Sequence, residues 1–430
     1  MSPLSRRAAA GATVLLSIAI ICVLALRGMG VELALGPLGS APAVTVSPSA
    51  IPSSEGASPG PSQDAAAVFA AIEQQVRTLR GLPAPSIGPP EVISRAQLEQ
   101  ELRDQFDREY PADRRAADNV MLRALGLLTA DQDVATLQLK LLTSQVIGYY
   151  DDTKKRMVVV SDSGVGPEAK ITYAHEYTHA LQDAAFGLGS LQLDAAGQDD
   201  RDLARLSLVE GDATTTMLLW AIDHMTPAEL LGVSQTPIPD VTGVPAWMVQ
   251  QLELPYTAGA QFVSRLYASG GWSAVDAAFR SPPDSTEQII DYTKYASGEE
   301  PVDVAPPALA AALGSGWTET PADTWGEAMT AIWLQALGET QDDAQSAAEG
   351  WGGDRIVAAS GPDGAVAVAI RYAWDTPGDA NQFASFYRDA AKSLSLSSAI
   401  VQVSDTETLV VQGSTQAIVD RAAAGLGLPR

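Results

Sequence analysis

Two of the three histidines in this 430-residue chain, His175 and His179, stand four positions apart with Glu176 between them. The flanking residues Ile171, Thr172, Tyr173, Ala174, Ala180 and Leu181 include neither glycine nor proline, so the segment reads as a helix. Positions i and i+4 of a helix lie one turn apart on the same face. Two imidazoles so placed can reach one metal ion at about 2.0–2.1 Å. Glu176 is rotated away from the pair, where a general base can stand against a metal-activated water. The bland reading is two ordinary helix histidines. The scarcity of histidine and the H-E-x-x-H spacing favour the metal.

A reactive zinc site needs a third protein ligand and an open position. The candidates are His224 and an acidic residue, and the next helix decides between them. Leu203, Leu206, Glu210, Ala213, Met217 and Trp220 share one stripe at helical spacing. Glu210 therefore sits on an apolar face, where a bare carboxylate costs several kcal/mol in desolvation. A cation facing it removes that cost; an ion pair with Arg201 or Arg205 is the bland alternative. His224 stands at its helix end beside Asp223 and Met225. It reads as a surface residue, with an oxyanion or bracing role as the sharper option.

Composition removes other chemistries. The net charge of −25 argues against nucleic acid as a partner, because phosphate binding needs clustered Lys and Arg. The lone cysteine, Cys22, excludes internal disulfides and cysteine-based zinc sites. Cys22 lies in an apolar run, Ala8 to Leu26, that follows Arg6 and Arg7 and ends at Arg27. A helix of this length spans roughly 28 Å. The run predicts an uncleaved single-pass membrane anchor within residues 1–35, with the C-terminal bulk outside the cytoplasm; a cleaved, secreted form is the lesser alternative. Residues 36–63, rich in Pro, Ser, Ala and Gly, read as a tether.

Beyond the tether, periodicity predicts a mainly helical α+β protein: a domain over 64–312 and a small α+β subdomain over 313–430. Helices are expected at 64–79, from a Ser94/Gln97 capping box onward, at 112–127, 131–145, 167–185 and 200–225. Val146–Tyr150 and Arg156–Ser161 flank a polar turn and read as a hairpin entering the motif helix. Further on, a helix at 321–337 precedes strands at 365–374, 398–403 and 407–412 and helices at 377–393 and 414–425. Trp351, Gly352, Gly353, Asp354 and Arg355 read as a tight turn with an ion pair.

Two histidines on one helix and a glutamate on the next resemble the gluzincin metallopeptidases, over about 146–225. The stretches HEYTHALQD, LVEGDAT, PPDSTEQI (282–289) and GWGGDR (350–355) are also similar to an uncharacterised group of bacterial secreted or membrane-anchored metallopeptidases. The resemblance implies a zincin-like core holding one zinc ion through His175, His179 and Glu210. It implies a peptide or protein substrate that pairs with an outer strand of the hairpin, and Glu176 as general base. Two positions depart from the pattern. Thr214 stands where an acid often braces a ligand histidine, with Asp212 pointing elsewhere, and Asp291 stands where a histidine is expected. Tyr256, His224 and Tyr292 remain candidates for an oxyanion or bracing role. The same residues would serve a zinc amidase acting on cell-wall peptides, or a catalytically silent zinc-containing protein that binds the wall or a partner.

Overall fold

The computed structural model describes residues 16–18, 63–160, 165–235 and 240–427. They form a mainly helical α+β structure with two small sheets.

The first sheet comprises β1 (Leu16–Ile18), β2 (Glu91–Ile93), β3 (Val146–Asp151) and β4 (Arg156–Val160) in the order β1-β3-β4-β2. Strands β3 and β4 form the expected hairpin. Its turn is held by Asp151 Oδ1, which accepts from the backbone N–H groups of Thr153 and Lys154. Neither hairpin strand is an edge. β1 pairs antiparallel with β3, and β2 runs parallel to β4. The expected docking of a peptide along the outer hairpin strand therefore finds both strands already paired.

The predicted membrane anchor is corrected by the same sheet. Leu16–Ile18, from the middle of the apolar run, is a strand whose backbone bonds to β3, so the run is not one continuous helix. Among the described residues no helix is long and apolar enough to cross a membrane. The assigned single-pass membrane location, transmembrane helix and signal anchor are thus not supported. The rest of that run and the tether up to residue 62 lie outside the described residues.

The first four helices are α1 (Gln63–Arg80), α2 (Arg95–Glu109), α3 (Ala112–Ala124) and α4 (Val134–Gln145); α2 packs on the first sheet through Leu98 and Leu102, and α3 turns Leu122 and Ala124 to the second sheet described below. Phe69, Ile72 and Val76 form the buried stripe of α1. Ser94 and Gln97 close the expected capping box of α2. Two long helices, α5 (Pro167–Phe186) and α6 (Asp199–His224), run through the core. A third, α8 (Ala246–Gly270), crosses α6 after the short α7 (Pro227–Ser234).

After α9 (Trp272–Arg280) and the short α10 (Thr286–Ile290), α11 (Tyr292–Ser297) and α12 (Leu309–Leu313) come the second sheet and its helices. These are β5 (Thr318–Glu319), α13 (Gly326–Ala336), α14 (Gln341–Ala348), β6 (Trp351–Ser360), β7 (Val366–Trp374), α15 (Pro377–Ala390), β8 (Ser397–Gln402), β9 (Glu407–Gly413) and α16 (Gln416–Gly425). The sheet is antiparallel, in the order β5-β6-β7-β9-β8. Both of its faces are covered. Ile356, Ala358, Val368 and Ile370 point into one cluster, and Val357, Ala359, Ala367 and Ala369 into another. The first cluster also takes Phe106, Leu125 and Trp247, so the C-terminal sheet shares its core with α2, α3 and α8.

The GWGGDR stretch is not a tight turn. It opens β6, with a register shift between Trp351 and Gly353. Among the described residues Asp354 forms no ion pair. Its buried carboxylate accepts from the backbone N–H groups of Trp325 and Gly326, both at 2.7 Å, and from Trp351 Nε1 at 2.8 Å. Arg355 donates to the carbonyl of Gly197. The conspicuous glycines and charges thus tie the second sheet to the start of α13 and to the loop before α6.

Candidate metal centre

Helix α5 starts with Pro167 at its first turn and ends at Gly187, whose φ of 70° closes the helix. Every residue from Ile171 to Gln182 is buried, so α5 is enclosed on all sides. Helix α6 is buried almost throughout from Ala204 to Ala221. Polar side chains on these two helices must therefore satisfy one another.

His175 Nε2, His179 Nε2 and one oxygen of Glu210 meet at one point. The two nitrogens lie 3.1 Å apart, and Glu210 Oε2 lies 3.1 Å from His175 and 3.3 Å from His179. Bonds of about 2.0–2.1 Å in tetrahedral geometry put neighbouring ligand atoms roughly 3.3 Å apart. The triangle has the size of one face of such a tetrahedron. Glu210 is 0% exposed, and its second oxygen, Oε1, has no hydrogen-bond partner among the described residues. Neither arginine weighed as its partner reaches it: Arg205 pairs with Asp284, and Arg201 with Asp202.

A chain of buried groups sets the tautomer of His179. Gln182 Nε2 donates to the carbonyl of Val209 and to Asp212 Oδ2, both at 2.9 Å. Neither partner can donate, so the amide is oriented with Oε1 toward His179. That oxygen lies 2.9 Å from His179 Nδ1 and accepts its proton. The lone pair of a neutral His179 is then on Nε2, facing the carboxylate. Two lone pairs do not approach this closely without a cation between them. Asp212 is itself held by the wholly buried Arg80, whose Nε donates at 2.8 Å. Asp212, expected to point elsewhere, thus joins the bracing network through Gln182, while Thr214 Oγ1 makes no hydrogen bond among the described residues.

A family model described as a domain of unknown function (DUF8575) matches residues 315–424. No curated protein and no solved structure matches the chain. The match covers the second sheet and its helices and includes none of the residues of the His–Glu cluster.

The electrostatics agree with the need for a cation. Burial disfavours a charged His179, but the Glu210 carboxylate outweighs it and pushes the imidazole up to about 9. Burial would raise Glu210, yet the facing imidazoles hold it below its ordinary value. A proton or a metal ion satisfies this arrangement, and two nitrogens with one carboxylate oxygen are a suitable donor set for zinc. Glu176, also 0% exposed, is close enough to add to the field on His179.

The remaining candidates separate. Tyr256, on α8, is buried, and its ring lies 6.1 Å from that of His175 at an interplanar angle of 27°. Helices α6 and α8 approach backbone to backbone to bring it there. A Cβ on Gly211 would fall 2.3 Å from the carbonyl of Gly259, and one on Gly259 would fall 2.2 Å from the Ser207 oxygen. His224 is exposed at the end of α6, fourteen residues or roughly 21 Å along the axis from Glu210. It packs beside Trp220 and takes no part in the cluster. Tyr292 packs at a tilt beside Phe262 and Tyr295, not against the histidines. Asp291, the position where a histidine was expected, caps α11 through the N–H of Thr293.

Proposed function

We propose that the chain is a metal-dependent hydrolase of peptide bonds, with one zinc ion held by His175, His179 and Glu210 in a zincin-like core. The observation that carries this reading is the triangle of ligand atoms, with one nitrogen turned to lone-pair form by Gln182. The adjoining helices and the hairpin that leads into the motif helix fit the same reading. Bound there, zinc supplies Lewis acidity, which lowers the pKa of a coordinated water to about 7 and polarises a carbonyl. Glu176 takes the proton from the attacking water and returns it to the leaving amine. Gln182, Asp212 and Arg80 hold His179 in place, so its orientation need not reorganise during the reaction. Tyr256, against His175, is the remaining candidate to donate to a developing oxyanion.

A second reading rests on one observation. His175 is 3% exposed, and Glu176, His179 and Glu210 are not exposed at all, so the centre is closed to solvent. A closed site also suits a catalytically silent protein whose zinc is structural. Metal analysis of the purified protein against Glu210→Ala is the first test. Equimolar zinc in the wild type and its loss in the variant are expected; equal metal in both sinks the ligand set. Glu176→Gln is the second. It should keep the zinc and lose hydrolysis of a peptide library, and a variant that still hydrolyses removes the general base. Casein against purified peptidoglycan then separates a general peptidase from a wall amidase.

A further inference from the structure

A cavity of about 240 Å³ has Tyr256 and Leu206 in its wall, and it approaches the His–Glu cluster through Tyr256, whose ring lies 6.1 Å from that of His175. Leu206 is one turn before Glu210 on α6, and Leu203 continues the apolar wall away from the centre. At the far end the lining changes character to Asp118, Asp199, Asp202 and Arg114. Two guanidinium groups, Arg114 and Arg201, face four carboxylates there: Asp118, Asp199 and Asp202 of the wall, and Asp323, which accepts the N–H of Asp199. Arg114 is shared between Asp118, at 3.7 Å, and Asp199, at 3.2 Å. Asp202 is 3% exposed. Its carboxylate meets Arg201 through Oδ1 at 3.3 Å and lies near the backbone N–H of Ala195, but its Oδ2 accepts no hydrogen bond among the described residues. A buried carboxylate oxygen left in this state lacks a donor.

The dimensions define what would supply one. Asp202 precedes Glu210 by eight residues on one helix, about 12 Å along its axis. The path between them is aliphatic. We propose that this cavity receives a long basic side chain of the substrate, lysine or arginine, with its stem on Leu203 and Leu206 and its cationic head at Asp202. The proposal rests on the hydrolase reading of the His–Glu cluster and gives it a substrate class. Burial pushes Asp202 up to about 7 and Asp118 up to about 6, and an arriving cation would favour the ionised form of both.

Trp247 and Trp325 line the same cavity, so occupancy can be read without turnover. The full-length, zinc-loaded Glu176→Gln protein is titrated with N-acetylated pentapeptides in which lysine stands at each position in turn. Each is matched with the peptide carrying norleucine there, and tryptophan fluorescence reports binding. At least one lysine peptide should bind tenfold or more tightly than its partner. Asp202→Asn should bring that ratio below threefold while its thermal melt shows a folded protein. If Asp202→Asn does not fold, Asp118→Asn and the lysine–norleucine ratio of the parent still decide. Ratios within twofold at every position overturn the proposal, whether or not the wild type hydrolyses peptides. A preference that appears only when the N-terminal amine is left free also overturns it, because the amine is then the occupant. Persistence of the lysine preference when the zinc-loaded wild type hydrolyses no peptide upholds the pocket and sinks the hydrolase reading.

Discussion

Gln182→Leu tests the bracing of His179 more sharply than removal of a ligand does. Leucine has nearly the volume of glutamine, so the helix contact between α5 and α6 is preserved. The amide makes three hydrogen bonds, to Val209 O, Asp212 Oδ2 and His179 Nδ1. Without its Oε1, nothing holds the His179 proton on Nδ1, and the ring is free to present a protonated Nε2 to the metal position. Loss of such a bracing partner lowers metal affinity about 10–100-fold, equivalent to roughly 1.4–2.7 kcal/mol. Asp212 keeps its bond to Arg80, so the second helix should stay in place. The assay is competition for zinc against a chelator of known affinity, run on wild type, Gln182→Leu and His179→Ala. The expected order is wild type, then Gln182→Leu weaker by one to two decades, then His179→Ala weaker still. A Gln182→Leu protein that melts normally and binds zinc within threefold of wild type would refute the tautomer argument.

The other predictions concern packing and pH. Gly259→Ala places a methyl group against the Ser207 carbonyl and forces α6 and α8 apart; a loss of about 3 kcal/mol is expected in urea unfolding, and a loss below about 1 kcal/mol would mean that the crossing is looser than described. Asp354→Ala strands two backbone N–H groups and an indole N–H in the core, so stability should fall by at least about 3 kcal/mol in the same assay, and a nearly neutral change would remove Asp354 from its tying role. Burial pushes Asp200 up to about 7, against its hydrogen bonds from Thr286. A carboxyl raised in the folded state holds its proton more tightly there than in the unfolded chain, so its contribution to stability falls as pH rises from about 4 to about 7 and is flat above. Asp200→Asn is neutral throughout and should gain on the wild type between pH 5 and pH 8, and an equal difference at both pH values would contradict the assignment.

Much of the local structure was legible because its causes are local. The capping box at Ser94, the hairpin around Asp151 and the periodicity of α1, α5 and α6 each depend on residues a few positions apart. The same holds for the imidazole pair, since helix geometry alone puts His175 beside His179. Glu210 was legible for a different reason: a lone acid on an apolar stripe requires a partner. The misreadings share a cause as well. Asp354 and its glycines look like turn residues, yet the two backbone N–H groups that Asp354 accepts belong to Trp325 and Gly326, far along the chain. Strand β2 is only three residues long and carries no alternation of its own. It is a strand because β4 offers it a pairing edge. The apolar run at Ala8–Leu26 has the composition of a membrane helix, and in its described part pairing with β3 wins instead.

The amino-acid order by itself determined which atoms could hold a metal, because the spacing of donors on a helix and the desolvation of a buried charge are short-range matters. Only the tertiary structure decided how those atoms are oriented and what lies beside them. Arg80, Asp212 and Gln182 come from three helices, and the Gly211–Gly259 contact that sets Tyr256 against His175 joins two more distant segments. Such pairings are selected by the packing of whole elements, and no window of sequence contains both partners.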